Sequence, residues 1–174
     1  MKEPFELLHL YVSPGHNYIG HHGQAPGQNP VFEVRAARCV AGRGIESDRY
    51  FAHEENHKGQ ITFFADEVYQ SLCAQFGIRD KPPSVFRRNV ITRGLDLNEL
   101  IGKEFTVQGI RFFGAEECRP CYWMDQAFCL GAETALRGRG GLRARILSIG
   151  TLRILAAPNL RLPSRRQRHE CAVS

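Results

Sequence analysis

The 174-residue sequence has no apolar run near the roughly eighteen residues that a membrane-spanning helix needs, which excludes that class of protein. Its first ten residues set Lys2, Glu3 and Pro4 ahead of a brief mixed stretch and lack the apolar core of a secretory signal, so the expected compartment is the cytoplasm. Disorder is excluded too, because 43% of the residues are hydrophobic and 24% charged, the balance of a soluble folded protein. Nor is there an internal repeat, or a linker separating one core from another; the length suits one domain. Residues 1–30 are expected to add an N-terminal strand and a His/Gly-rich loop to that domain, 31–158 to form its body, and 159–174 to be a basic tail.

The net charge of +5 suggests an acidic partner until its placement is considered. Arg161, Arg165, Arg166 and Arg168 face only Glu170 in the tail, leaving 19 basic and 17 acidic residues elsewhere. A solvated basic end accounts for most of the excess.

Six cysteines in a reducing compartment do not make a disulfide framework, so each thiol is judged separately. Cys73 belongs to a helical stripe of Ala65, Val68, Tyr69, Leu72, Cys73 and Phe76 and reads as a small core residue. Cys39 follows an alternating stretch and Cys171 lies in the tail, neither among chemistry-bearing neighbours. Cys118, Cys121 and Cys129 remain.

The chain reads as short strands with two helices inserted, which argues against a doubly wound sheet. Strands are expected at Leu7–Val12, Phe32–Ala37, Gln60–Phe64, Arg88–Thr92, Phe105–Val107 and Ile110–Phe113, with Gln108-Gly109 as a hairpin turn, and in a last pair, Leu142–Ile149 and Leu152–Ala156, separated around Gly150. Ser13–Pro30 is a turn-rich loop, and the helix through Cys73 ends at Gly77 in a left-handed cap. So many hairpin-linked strands would leave long edges in an open sheet, which favours a barrel or a strongly curled sheet.

Chemistry concentrates in Cys118-Arg119-Pro120-Cys121. Pro120 suits the first position of a helix, which would put Cys121 in the first turn, where the helix dipole and Arg119 favour a thiolate. Three readings of the cysteine pair stand side by side. A zinc site lacks a second CxxC or an HxxxH at the usual distance, a thioredoxin-like pair lacks its βαβ setting, and two packed thiols at a helix start need neither. Three basic turns accompany the pair. Gly42–Tyr50 holds Arg43 and Arg49, with Asp48 to orient Arg49 or a ligand hydroxyl, and its amides suit a phosphate. Arg87 and Arg88 enter a strand, where alternation sends them to opposite faces and only one to a barrel mouth. Arg137-Gly138-Arg139-Gly140-Gly141 is a third loop able to show amides to an anion. Each turn alone reads more simply as solvated; together they suggest a site for a phosphorylated ligand with a soft centre.

At these residues the sequence resembles the MOSC domain, the module named for the C-terminal domain of molybdenum cofactor sulfurases and also found in stand-alone bacterial proteins. The resemblance runs from about Val31 to Ala157 through Gly44-Ile-Glu-Ser-Asp48-Arg49, Gln60-Ile-Thr-Phe-Phe, Arg88-Asn89-Val-Ile-Thr-Arg-Gly94, Leu100-Ile-Gly102-Lys103, Cys118-Arg-Pro-Cys121 and Gly138-Arg139-Gly140-Gly141. It implies a mainly β fold with inserted helices, a β-barrel of mixed topology. It also implies binding of molybdenum cofactor (molybdopterin), with Cys121 carrying sulfur or ligating molybdenum and Arg49, Arg88 and Asn89 lining the pocket. Arg139, Arg43 and Asp48 join the expected binding set from the basic turns, and the resemblance implies reduction of N-hydroxylated compounds as one activity and cofactor or sulfur carriage without catalysis as the other. A redox or sulfur-donor protein is the implied partner, and a basic β-barrel binding nucleic acid ranks last. The sequence departs from the family pattern at Ser47, usually glycine, and Tyr50, usually histidine. It also has no room for the pyridoxal-phosphate-dependent desulfurase domain of the longer members. His16–Gly23 precedes the resemblance and is expected to loop over the pocket, with His21 and His22 either a solvated turn or an adventitious metal site.

Overall fold

The computed structural model describes residues 4–155, so the basic tail and Cys171 lie outside the described residues. The strands and helices follow as β1 (Glu6–Val12), β2 (Phe32–Glu33), β3 (Ala36–Val40), β4 (Gly44–Ile45), β5 (Ile61–Ala65), α1 (Asp66–Phe76), β6 (Val90–Arg93), β7 (Glu104–Val107), β8 (Ile110–Glu117), α2 (Trp123–Ala127), α3 (Ala132–Leu136), β9 (Leu142–Ile146) and β10 (Gly150–Arg153). Single 3-10 turns stand at Pro83–Phe86 and Leu97–Leu100.

Seven strands form one sheet in the order β2-β1-β6-β5-β9-β8-β7, and β10-β3-β4 form another. Strand β5 runs parallel to β6 because α1 carries the chain back between them, whereas β5 and β9 are antiparallel. All five residues of β5 are buried, as a strand covered on both faces requires. Alternation then divides the core. Leu10, Phe63 and Val90 enter one cluster, which Ala37, Cys39, Ile45 and Leu152 of the smaller sheet complete from the other side. Their neighbours Tyr11, Phe64 and Ile91 point the opposite way, onto Leu72, Trp123, Phe128 and Leu136 of the helical layer. The large sheet is therefore a curled half-barrel whose open side the small sheet closes, mainly β with helices inserted, as expected.

Cys39 sits in the first cluster, where burial pushes its thiol up to about 12. Gly77 ends α1 at φ 67°, its N–H donating to the Cys73 carbonyl. Gln108 and Gly109 both have positive φ, 49° and 77°, the signature of the tight hairpin turn between β7 and β8.

Three expected strands form differently. Phe32–Ala37 divides, β2 pairing with β1 and β3 with β10, and its alternation changes phase as the chain crosses between sheets: Val34 packs on the core, Phe32 and Ala36 are exposed, and Ala37 is buried. The last two strands are not a hairpin: β9 lies between β5 and β8, and β10 beside β3. Gly150 belongs to β10, and a Cβ there would come within 2.5 Å of the Ile110 side chain, so packing and not a turn requires the glycine.

Candidate functional site

A cleft of about 350 Å³ opens where the 48–50 turn, the Pro83–Phe86 turn, the β8–α2 link and β9 converge. Arg49, Arg87, Arg88, Arg119 and Arg143 line it with Cys121, and among the described residues no carboxylate lines it. Such a wall attracts a multiply charged anion, because guanidinium groups bind phosphate or carboxylate in bidentate fashion.

Arg49, Arg87 and Arg88 are held by main-chain and buried acceptors, and Arg143 by the partly exposed Glu116 at 3.4 Å. Asp48, buried, accepts from the Ser13 amide at 3.1 Å, the Tyr50 amide at 3.2 Å, the Asn89 amide group at 3.1 Å and Arg49 Nη1 at 3.3 Å. Arg49 Nη2 donates to the Arg87 carbonyl at 2.9 Å. Asn89 accepts from the Thr62 amide and hydroxyl and donates to the Tyr11 carbonyl as well as to Asp48. Asp48 and Asn89 thus stand behind the wall and fix Arg49; neither lines the cleft.

Arg87 and Arg88 both line the cleft, contrary to the alternation argument. The strand begins only at Val90, and Arg87 ends the Pro83–Phe86 turn in the left-handed region at φ 54°. Arg87 is buried and donates to Ser13 Oγ at 2.6 Å and to the Gly15 and Asn29 carbonyls at 2.7 and 3.2 Å. Burial, then the neighbouring Arg49, pull its guanidinium below the ordinary value. Arg88 bridges the carbonyls of Phe86 and Gly140 at 2.9 and 3.2 Å.

Residues 13–30 fold across the cleft, as expected, bringing His16, Tyr18, Ile19 and His22 to its lining. Asn17 and Asn29 clasp the base of this loop, the Asn29 amide donating to Asn17 Oδ1 at 2.8 Å and Asn17 Nδ2 to the Asn29 carbonyl at 3.1 Å. Tyr18 stacks on Trp123 at 4.9 Å and Tyr122 on the same indole at 4.7 Å, with His22 Nδ1 3.0 Å from the Tyr122 hydroxyl. His21 Nδ1 instead lies 3.1 Å from the Ala25 carbonyl. Tyr18, His22 and Trp123, with Arg119 and Arg143, complete the cleft, and Tyr122 backs the indole from outside the lining. They lie far apart in sequence, so no local pattern marks them as a group.

Three expectations are corrected. Helix α2 starts at Trp123, so Cys121 precedes even its N-cap, Tyr122, outside the first turn; the positive groups it shares the cleft with are arginines. The 42–50 turn spends its amides internally, Gly42 N–H on Ile146, Arg43 on Val40 and Glu46 on Arg38, and Arg43 lies 4.6 Å over the Phe51 ring instead of in the cleft. The 137–141 loop is built for packing. The Gly140 N–H donates to Glu117 Oε1, a Cβ on Gly140 would lie 2.2 Å from the Cys118 carbonyl oxygen, and Arg139 turns to the Ala135 carbonyl and Ser71 Oγ. Cys118 is buried, its N–H on the Gly141 carbonyl at 2.7 Å, while Cys121 is exposed.

A family model matches residues 47–154, and its description is the MOSC domain. The chain belongs to the MOSC domain family. The matched span takes in Arg49, Arg88, Cys121 and Arg143 and leaves out the 13–30 loop. Among solved structures the chain is similar to the YuaD protein from Bacillus subtilis, with a TM-score of 0.66 at 14% identity over 86% of this chain and 91% of that one. It is also similar to YiiM from Geobacillus stearothermophilus, at 0.63 and 15% over 87% and 72%, and to YiiM from Escherichia coli, at 0.58 and 15% over 84% and 65%. At these identities the likeness is one of fold. No curated protein matches the chain in sequence. Ser47, at φ 68°, occupies the position where the MOSC pattern usually has glycine, which that conformation favours. Among the described residues no helix is long and apolar enough to cross a membrane.

Proposed function

We propose that this MOSC protein binds molybdenum cofactor in the arginine-lined cleft and handles molybdenum or its sulfur through Cys121. The observation that carries the reading is the convergence of five arginines and an exposed cysteine on a single cavity that no carboxylate lines among the described residues. The donor set fits the group: guanidinium for its phosphate, aromatic faces at Tyr18 and Trp123 beside a planar ring system, and a thiol as a soft ligand. Arg49 and Arg88 would hold the phosphate, with Arg87 keeping the 13–30 loop in place and Asp48 and Asn89 aiming Arg49. When bound, the cofactor supplies two-electron redox chemistry at a centre that accepts sulfur ligands.

In its catalytic form the protein reduces N-hydroxylated compounds with electrons from a partner, and Cys121→Ser abolishes turnover of an N-hydroxylated purine or an amidoxime. The carrier form has one observation in its favour: Cys121 and Arg119, two positions before it, are both exposed, open to a partner protein. Lack of turnover with retention of the cofactor selects it. The nucleic-acid reading has no observation behind it, since these arginines face one cleft and not a groove-spanning surface.

The test is the molybdenum and pterin content of protein purified anaerobically from cells that make the cofactor. Wild type is expected to carry both, and Cys121→Ser to lose metal; absence of both from wild type overturns the reading.

A further inference from the structure

The cleft leaves unused a cluster of imidazoles on the turn that follows it. His53, Glu54 and His57 each offer one ligand atom, and the three atoms lie within 4.8 Å of one another. The sequence there is His-Glu-Glu-Asn-His, the H-E-x-x-H spacing that binds zinc when it lies on a helix. Here the segment is a succession of turns, with Asn56 in the left-handed region at φ 57°. Turn geometry therefore does what a helix face otherwise does, folding positions 53 and 57 back toward each other.

The cluster is partly ordered in advance. His57 Nδ1 and Glu54 Oε1 are 3.0 Å apart, near the separation of about 3.4 Å between two ligands of a tetrahedral zinc. The His57 side chain is only 15% exposed and its ring stacks on Tyr50 at 5.0 Å and 17°. His53 meets the same tyrosine edge-on at 5.6 Å and lies 5.1 Å from His57, ring to ring. His53 and Glu54 are exposed, so the last approach to an ion demands only side-chain movement. Two imidazoles and a carboxylate are the ligands of a borderline-soft divalent ion and leave a position open for water or a substrate atom.

We infer that His53, Glu54 and His57 form a binding site for a divalent transition-metal ion of the zinc, cobalt or nickel kind, separate from the cysteine cleft and joined to it through Tyr50. Tyr50 lines the cleft and stacks on His57, which shares a smaller hollow with Arg49, Arg87, Arg88 and Arg143, so an ion held by His57 fixes one wall of the cleft in place. The proposal does not depend on what the cleft itself binds.

The experiment is titration of the tag-free full-length protein, under reducing conditions and without other metal, with Co2+ alone. It is followed by absorption and by equilibrium dialysis, with thermal melting as a second readout. The expected result is one ion per chain, a d–d spectrum with no thiolate-to-cobalt charge-transfer band, and a rise in melting temperature. His53→Ala and His57→Ala are expected to weaken binding on the order of tenfold or more, the scale on which metal sites respond to lost support. Cys121→Ser, Cys118→Ala and His22→Ala are expected to leave it unchanged. Because His57 is partly buried, His53→Gln on the exposed side keeps the test valid if His57→Ala fails to fold. A thiolate band, loss of binding in Cys118→Ala, Cys121→Ser or His22→Ala, unchanged binding in His53→Gln, or no stoichiometric binding at millimolar Co2+ would each overturn the assignment.

Discussion

Asp48 and Asn89, forty-one positions apart, meet in a 3.1 Å hydrogen bond beneath the cleft, and each is otherwise bonded to main chain or to a neighbouring side chain. This pair ties the 48–50 turn to the start of β6 and so decides where Arg49 points. Asn89→Ala leaves the Thr62 amide, the Tyr11 carbonyl and one Asp48 contact without their partner. Unmade buried hydrogen bonds cost about 1–3 kcal/mol each, so a loss of about 3 kcal/mol is expected, read from urea unfolding. Asn89→Asp, which places two carboxylates together, is expected to cost more.

Arg87 clamps the 13–30 loop through Ser13, Gly15 and Asn29. Arg87→Ala removes those three acceptors' donor and also one cleft charge. The loop is expected to become the first site of limited proteolysis, with cleavage between His16 and Gln28 at least tenfold faster than in wild type, while β5 and α1 stay protected in hydrogen exchange.

Backbone strain at Ser47 predicts a gain. Its φ of 68° is a left-handed value that favours glycine, so Ser47→Gly is expected to stabilise by up to about 1 kcal/mol, less the entropy glycine gains in the unfolded chain. Gly140→Ala is the counterpart. With a Cβ 2.2 Å from the Cys118 carbonyl oxygen, the 118–121 segment must shift, at a cost of about 2 kcal/mol or more by thermal melting.

His16 predicts a pH dependence. Burial, and after it the positive Arg49, hold its imidazole below the ordinary value of 6.5. The folded state therefore binds fewer protons at this residue than the unfolded chain does, so stability falls as the pH drops below about 6.5 and levels off once the folded-state pKa is passed. Melting temperatures at pH 7.5, 6.0 and 5.0 should fall more for wild type than for His16→Asn; equal slopes would refute this.

Most elements of the fold could be read locally. The stripe through Leu72, the Gly77 cap and the Gln108-Gly109 turn each carry their own chemistry, and each forms where periodicity or turn residues put it. What alternation could not supply is which sheet a strand joins, and so Phe32–Ala37 divides and the last two strands go to different sheets. In the site, Arg49, Arg88 and Cys121 share one cleft, whereas Arg43 and Arg139 are drawn off by an aromatic ring and by main-chain carbonyls. Strand alternation fails for Arg87 because it holds only from Val90 onward, and Arg87 still belongs to a left-handed turn. The spacing of His53 and His57 is visible in the chain, but without a helix to put them on one face it carries no geometric message.

The parallel step from β5 to β6 has a kinetic side. Strand β5 must find β6 after a helix and β9 some eighty residues on, and the cleft draws on residues from His16 to Arg143, so none of it exists until most of the chain has docked. Pairings of this range form slowly, because loop closure precedes the contacts that reward it. A ligand of the cleft therefore recognises the finished fold alone and cannot template an early stage. At a hundred times its Kd it would add about 2.7 kcal/mol to global stability, drawn wholly from the native state.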